Sequence, residues 1–189
     1  SHLASKQGRT KSVVFLGGNA GILHAFDGAT GAELFGYLPQ AGLANLKIIA
    51  EKDYGTPTNY HRYFVDGPMV ETDAFIATRR NATEAWANLV VGSMGFGGTG
   101  FFALHVDTAD PTLLDDKTVL WELSAANSSD IGYVMGEIAV GKVKGGGWKA
   151  FVGNGVDSSS GKAALLVVDL SKGTIDQTLV VDSAGGNGL

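Results

Sequence analysis

One pattern recurs along this chain and limits the folds open to it: a short strand, glycines, a second strand, then a tight turn that begins with aspartate. In the first copy, strand-forming residues lie at 13–16, 22–26 and 33–38, and the second turn runs from Asp27 to Gly31. Short strands joined by such turns are typical of an antiparallel meander. The 28 glycines, against 4 prolines, also favour an all-β chain with many tight turns.

Two further copies follow the first. Their strands are expected at 89–92, 101–106, 119–123, 150–153, 164–168 and 178–181. An aspartate ends or follows the second strand of each copy, where its side chain can accept hydrogen bonds from backbone N–H groups of the turn, and a glycine supplies positive φ. We therefore predict structural turn residues, not ligands, at Asp27, Gly31, Asp107, Asp169 and Gly173.

The three aspartates are spaced more widely than the roughly 40–50 residues of a single propeller blade. Extra strands must lie between them, and residues 61–66 and 133–140 are the candidates for inner strands of the next blades. The sequence thus predicts a partial β-propeller of about four blades, with quinoprotein-like repeats. Apolar residues at helical spacing in 42–50 predict one short helical insertion.

Composition restricts the classes of function. Hydrophobic residues make up 44% of the chain, so a packed core is expected, and a net charge of −5 without a basic stripe argues against nucleic-acid binding. The absence of cysteine excludes disulfides and thiolate chemistry. No apolar run approaches the ~20 residues of a transmembrane helix. Residues 1–11 are expected to be a cloning remnant or a disordered lead-in, and residues 12–189 the N-terminal part of a propeller domain.

No catalytic, cofactor or metal site is predicted in this chain. The glycine-rich stretch 95–100 is followed by a strand and not by the helix of a dinucleotide site, so we interpret it as a wide hairpin loop. His24, His61 and His105 match no metal-binding spacing, and a packing role is favoured over a ligand role. The tryptophans Trp86, Trp121 and Trp148 are expected to pack between blades, with an exposed partner contact as the alternative.

The ordered set of these segments resembles the propeller domain of the PilC/PilY family of type IV pilus tip-adhesin and biogenesis proteins. The residues that carry the likeness are GGNAGILHAFD (17–27), HRYFVDG (61–67), GFGGTG (95–100), GNG (153–155) and VDL (168–170). HRYFVDG is the least generic of them. The similarity runs through almost the whole chain from residue 12.

This resemblance implies a non-enzymatic domain of a large secreted protein, at the pilus tip or outer-membrane surface of a Gram-negative bacterium. The implied roles are pilus biogenesis, surface adhesion and twitching motility. Pilus proteins and a host or surface ligand are the implied partners, and the missing half of the propeller or another copy is expected to cover exposed strand edges. The family's calcium loop would lie beyond Leu189, so no cofactor is assigned to this chain.

Two alternatives remain at the level of sequence. A quinoprotein-like dehydrogenase would need calcium ligands and an aromatic stack on the quinone, and a quinone absorbance band would reveal it. A generic protein-binding propeller scaffold differs from a pilus protein only in its partner, and loss of piliation on gene deletion would separate the two.

Overall fold

The computed structural model describes residues 1–106, 114–182 and 188, which contain eleven strands in three antiparallel sheets. Sheet I contains β1 (Val13–Gly17), β2 (Leu23–Asp27) and β3 (Glu33–Tyr37). Sheet II contains β4 (Met69–Ile76), β5 (Ala85–Ser93), β6 (Gly100–His105) and β7 (Val119–Ser124). Sheet III contains β8 (Ala139–Val143), β9 (Gly147–Gly153), β10 (Ala163–Asp169) and β11 (Ile175–Asp182). Each sheet is a meander, so strands adjacent in sequence are adjacent in space.

Sheet II lies between the other two because its middle strands are apolar on both faces. Successive side chains of a strand point to opposite faces. In β5, Leu89 and Val91 join a cluster with Val152 and Leu166 of sheet III. Val90, between them, joins a second cluster that contains Leu23 of sheet I. Burial of alternate residues in two clusters therefore stacks the three sheets face to face.

The tryptophans take part in this stacking. Trp121 of β7 is 8% exposed, and its indole N–H donates to the carbonyl oxygen of Leu170 at 2.9 Å. The rings of Trp86 in β5 and Trp148 in β9 meet edge to face, with centroids 6.1 Å apart. Packing between blades is thus confirmed for these side chains.

A shared irregularity shows that the three sheets are copies of one unit. The register between the second repeat strand and the strand that follows shifts between Ala25 and Phe26, between Ala103 and Leu104, and between Val167 and Val168. These positions are equivalent in β2, β6 and β10. A β-bulge increases the local twist of a strand and is a specific structural feature, not a random defect, so its recurrence at one position marks equivalent strands. By this alignment β1, β5 and β9 are equivalent, as are β3, β7 and β11.

The prediction of an all-β, propeller-like chain is confirmed, but the described residues form three sheets and not about four blades. Residues 61–66, predicted as an inner strand, contain no strand. Phe64 and Val65 are both buried, at 0% and 5% exposure, whereas a half-buried strand would alternate. Of the predicted strand at 133–140, Tyr133 forms an isolated bridge with Val156, and β8 starts only at Ala139.

Sheet II begins with β4, an edge strand that the sequence did not reveal because its residues mix polar and apolar types. The predicted helical insertion is confirmed as a 3-10 turn at Gln40–Gly42 followed by helix α2 at Leu43–Ile49. A further helix, α1 (His2–Gln7), occupies part of the predicted lead-in. Within the described part of the chain, no helix has the length and apolarity needed to cross a bilayer.

Candidate functional site

Four of the predicted turn residues, Asp27, Gly31, Asp169 and Gly173, lie in the equivalent turns that follow β2 and β10. In sheet I, one carboxylate oxygen of Asp27 accepts the backbone N–H groups of Ala29 and Thr30 at 2.9 and 2.8 Å. These hydrogen bonds lower the pKa of Asp27. Gly31 has a φ of +73° and donates to the carbonyl oxygen of Asp27 at 2.8 Å.

The turn in sheet III has the same construction. Asp169 accepts the N–H groups of Ser171 and Lys172 at 3.1 and 3.0 Å, and Gly173 has a φ of +68°. Asp169 also pairs with the Lys149 ammonium at 2.7 Å. Asp107, the middle member of the predicted set, lies outside the described residues. The structural role of this set stays a prediction.

The opposite end of the sheets carries the candidate site. In a meander, successive connections lie at alternate ends. The loops β5–β6 and β9–β10 and the connections β3–β4 and β7–β8 therefore share the end away from the aspartate turns. They border a groove of about 590 Å³. Its lining residues are Ala41, Asn45, His61, Arg62, Tyr63, Phe96, Gly97, Gly98, Thr99, Tyr133 and Asp157. We call this the loop groove.

Aromatic rings form a continuous row along the loop groove. The centroids of Tyr63 and Phe96 lie 6.3 Å apart with planes tilted by 42°, and those of Phe96 and Tyr133 lie 6.4 Å apart with a tilt of 38°. His61 extends the row from Tyr63 at 5.6 Å, and Tyr54 follows at 6.0 Å. Tyr63 is 50% exposed and Phe96 is 55% exposed. The row thus presents ring surface to solvent, in contrast to the buried rings of the core.

Close backbone packing holds the first two rings in place. Phe64, directly after Tyr63, is fully buried, and the N–H of Asp66 donates to the carbonyl oxygen of Met94 at 3.2 Å. A Cβ at Gly97 would overlap the carbonyl oxygen of Phe64. Glycine is therefore required at this point of the β5–β6 loop, because the loop approaches the 61–67 segment backbone to backbone.

The third ring is held by a different loop. Tyr133 exchanges two backbone hydrogen bonds with Val156, at 2.8 and 3.1 Å. Next to Val156, Asp157 has a φ of +57°, which is rare outside glycine. Such strained residues cluster at binding sites. Three separate loops thus fix the positions of the ring row before any ligand is present.

The polar lining of the loop groove is mixed in charge. It contains the guanidinium of Arg62, the carboxylate of Asp157, and the uncharged donors and acceptors of Asn45 and Thr99. A second cavity of about 410 Å³ shares Ala41 and Thr99 with the first and is lined by Gln40, Ser124 and Asn127, among others. The two cavities therefore lie next to each other along the same face.

The arrangement offers a binding surface and not a recognisable catalytic centre. His24 pairs with Glu33 at 2.6 Å in sheet I, His61 lies in the loop groove and His105 is buried in β6, so the histidines are not brought together. Among residues 1–106, 114–182 and 188, no group of three or more histidine, aspartate or glutamate side chains is placed to hold a metal ion. The glycine-rich stretch 95–100 connects two strands, as predicted for a hairpin loop.

Sequence reasoning missed the loop groove. Residues 61–67 are the most distinctive segment, but residues 61–66 were predicted as a strand, in which His61, Tyr63 and Val65 would share one face. The structure instead buries Val65 and leaves His61 and Tyr63 in the loop groove. Nothing in the sequence pairs Tyr63 with Phe96 or Tyr133, which lie 33 and 70 positions further along the chain.

Stacked antiparallel meanders of three and four strands, with a groove at their loop end, define a β-propeller fragment. Among solved structures, the Pseudomonas aeruginosa PilY1 C-terminal domain is similar, with a TM-score of 0.69 and 33% sequence identity over 94% of this chain and 32% of that chain. The family model described as the PilY1 beta-propeller domain matches residues 1–189. The chain belongs to this family.

Two curated relatives show the same relationship. A type IV pilus biogenesis factor PilY1 of P. aeruginosa (strain UCBPP-PA14) is 39% identical over 93% of this chain. A PilY1 homolog of Xylella fastidiosa is 36% identical over 86% of the chain. The matched regions are 14% and 10% of the lengths of those two proteins. This chain therefore corresponds to a small part of each relative.

Proposed function

We propose that this chain is a non-enzymatic binding domain of a type IV pilus-associated protein that supports pilus biogenesis, surface adhesion and twitching motility. The observation that carries the proposal is the match of the PilY1 propeller family to residues 1–189. The relatives' name, type IV pilus biogenesis factor, describes a role in assembly and not a reaction. The implied place of the domain is the secreted pilus tip or the outer-membrane surface of a Gram-negative bacterium.

The loop groove is the surface through which we expect the domain to act. Exposed tyrosine and arginine side chains are enriched at the energetic centres of binding sites. Tyr63 and Arg62 are of these two types, and Phe96 adds a second exposed ring to the same lining. Pilus proteins or a surface ligand are the expected occupants.

A genetic experiment tests the proposal. The gene is deleted in the bacterium that carries it and restored either with the full-length protein or with a version that lacks residues 12–189. We expect deletion to reduce surface pili, adhesion and twitching, and only the full-length protein to restore all three. Full recovery with the shortened version would overturn the assignment to this domain. Normal piliation after gene deletion would favour a general protein-binding scaffold, and a quinone absorbance band in the purified protein would favour an enzyme.

We also propose that the rest of the propeller in a longer protein, or a second copy, covers the unpaired edge of sheet I, which is strand β1. The support is that β1 pairs only with β2 in the described residues, whereas its equivalents β5 and β9 each have strands on both sides. Unpaired strand edges promote association. We expect this chain alone to self-associate in size-exclusion chromatography. A stable monomer at high concentration would contradict this.

A further inference from the structure

We propose that the loop groove binds a neutral oligosaccharide chain. The inference deepens the proposed function, on which it rests, by giving the binding face a ligand class. Each sugar ring has an apolar face of C–H groups and a rim of hydroxyls. A saccharide site therefore needs exposed aromatic rings for the faces and hydrogen-bonding side chains for the rims.

The ring row meets the first requirement. Tyr63, Phe96 and Tyr133 follow one another at nearly equal spacing, 6.3 and 6.4 Å, with similar tilts of 42° and 38°. Since Tyr63 and Phe96 are half exposed, about half of their surface is open to a ligand. Two half-exposed rings, followed at equal spacing by the partly buried ring of Tyr133, match a ligand that repeats a flat apolar unit along its length.

The polar groups meet the second requirement. Asn45 and Thr99 each offer donors and acceptors, Arg62 offers only donors, and Asp157 only acceptors. The lining contains one guanidinium and one carboxylate, so it has no surplus of lysine or arginine over aspartate or glutamate with which to hold a polyanion. Phosphate-rich ligands are bound by clusters of lysine and arginine. The balance therefore favours a ligand rich in hydroxyls and without net charge.

The extent of the surface indicates a chain and not a single sugar. The loop groove adjoins the cavity lined by Gln40, Ser124 and Asn127, and the two share Ala41 and Thr99. Their volumes, about 590 and 410 Å³, each fall in the range of small-molecule sites. Small polar side chains in the second cavity continue the hydrogen-bonding lining beyond the ring row. An oligosaccharide could occupy both.

The backbone around the loop groove is less suited to an extended peptide. A peptide that binds by strand addition needs a free sheet edge. The residues that line the larger cavity lie in loops, in the 3-10 turns Gln40–Gly42 and Gly95–Gly97, and in α2. They include no residue of a named strand. A proline-rich peptide, which docks on aromatic ridges without strand pairing, is the competing occupant and is included in the test.

The test uses the full-length protein that contains this domain. Its binding to an array of neutral oligosaccharides that includes chitohexaose and cellohexaose is compared with binding to hyaluronan and to decaproline, and hits are measured by titration calorimetry. We expect binding to a neutral oligosaccharide, weakened about tenfold or more by Phe96→Ala or Tyr63→Ala. Phe96→Tyr should retain affinity because the ring remains, and Phe96→Leu should not.

The control variant is Tyr60→Ala, which removes a tyrosine of the same segment that is 72% exposed and does not line the loop groove. It should bind like the wild type, and circular dichroism should show all variants folded. Binding of decaproline alone, preference for hyaluronan, no binding to any neutral oligosaccharide, or equal binding by Phe96→Ala would each overturn the inference. Because this readout is binding by purified protein, it can fail while gene deletion still abolishes piliation, so the two proposals are separable.

Discussion

Sheets I and II carry the same repeat but bury it differently. In β5 of sheet II, Leu89, Val90 and Val91 are all at most 4% exposed. In the equivalent β1 of sheet I, Val14 and Leu16 are 54% and 59% exposed. Both segments are equally apolar, so the difference comes from their neighbours. Sheet II has a sheet on each face and β5 has a strand on each side, whereas sheet I is packed on one face within the described residues.

The apolar character of a strand therefore reflects the neighbours that the strand has in the complete propeller, and not its neighbours in an isolated part. An exposed apolar strand face is a marker of an interaction surface. Val14 and Leu16 therefore suit a place between blades, as Val90, the equivalent of Val14, has.

Truncation of a leucine should be costly in sheet II and nearly neutral in sheet I. Leu89→Ala removes a fully buried side chain between sheets II and III and should lower the free energy of unfolding by about 2–5 kcal/mol. Leu16→Ala should stay within about 0.5 kcal/mol. Urea denaturation of this chain measures both. Equal losses would show that β1 is already covered, for example by another copy.

Alanine at the two turn glycines should separate an exposed turn from a packed one. Gly31 and Gly173 both have positive φ, so alanine costs about 1–2 kcal/mol of backbone strain at each. A Cβ at Gly31 meets nothing within 4 Å, but a Cβ at Gly173 would overlap the ring of Trp121 in sheet II. Overpacking should add about 1–3 kcal/mol at Gly173. Thermal unfolding of the two variants gives the comparison, and a larger loss at Gly31 would contradict the packing of this turn on sheet II.

The two turn aspartates should also differ. Asp169→Ala removes the acceptor of two backbone N–H groups and one of the two carboxylate partners of Lys149, which is 10% exposed, so a loss of about 1.5–3 kcal/mol is expected. Asp27→Ala removes only an exposed set of turn hydrogen bonds and should cost less. Asn at either position, which keeps one acceptor oxygen, is the matched control. Losses of zero at both sites would refute the structural role predicted for these residues.

Acid should weaken the chain through the carboxylates of sheets II and III. Burial disfavours the charged form of Asp73 and Asp169, but hydrogen bonds from His2 and Arg9 to Asp73, and from Lys149 to Asp169, outweigh it and hold each pKa below the ordinary 3.8. Because the folded pKa is lowered, this stabilisation is complete above about pH 4 and is lost as the pH falls through the folded values.

Urea midpoints measured between neutral pH and pH 3 would record this loss. We expect Asp73→Asn to flatten the acid limb of the stability curve. An unchanged acid limb in that variant would show that the Asp73 carboxylate does not stabilise the fold, and neither does its contact with Arg9 at 2.5 Å.

The sequence predicted the repeat well because its signals are local. In the turns at Asp27 and Asp169, the aspartate and the glycine shape the backbone only a few positions away. The structure places a strand on either side of each turn. The segment 61–66 was mistaken for a strand because Phe64 and Val65 owe their burial to Gly97 and Met94, far away in the chain. The mixed composition of β4 concealed a strand whose partners are set by the sheet. The ring row of the loop groove depends on three loops, so no local pattern could have shown it.

Hydrogen exchange of β1 tests the central comparison most directly. Amide exchange is measured by mass spectrometry for peptides that cover β1, β5 and β9, in this chain at a dilution that keeps it monomeric and in the longer protein that contains it. We expect β1 to exchange much faster than β5 and β9 in this chain, and its protection to rise to theirs in the longer protein. Equal protection of all three strands in this chain, or no gain for β1 in the longer protein, would contradict the account of sheet I as a blade that other parts of the propeller complete.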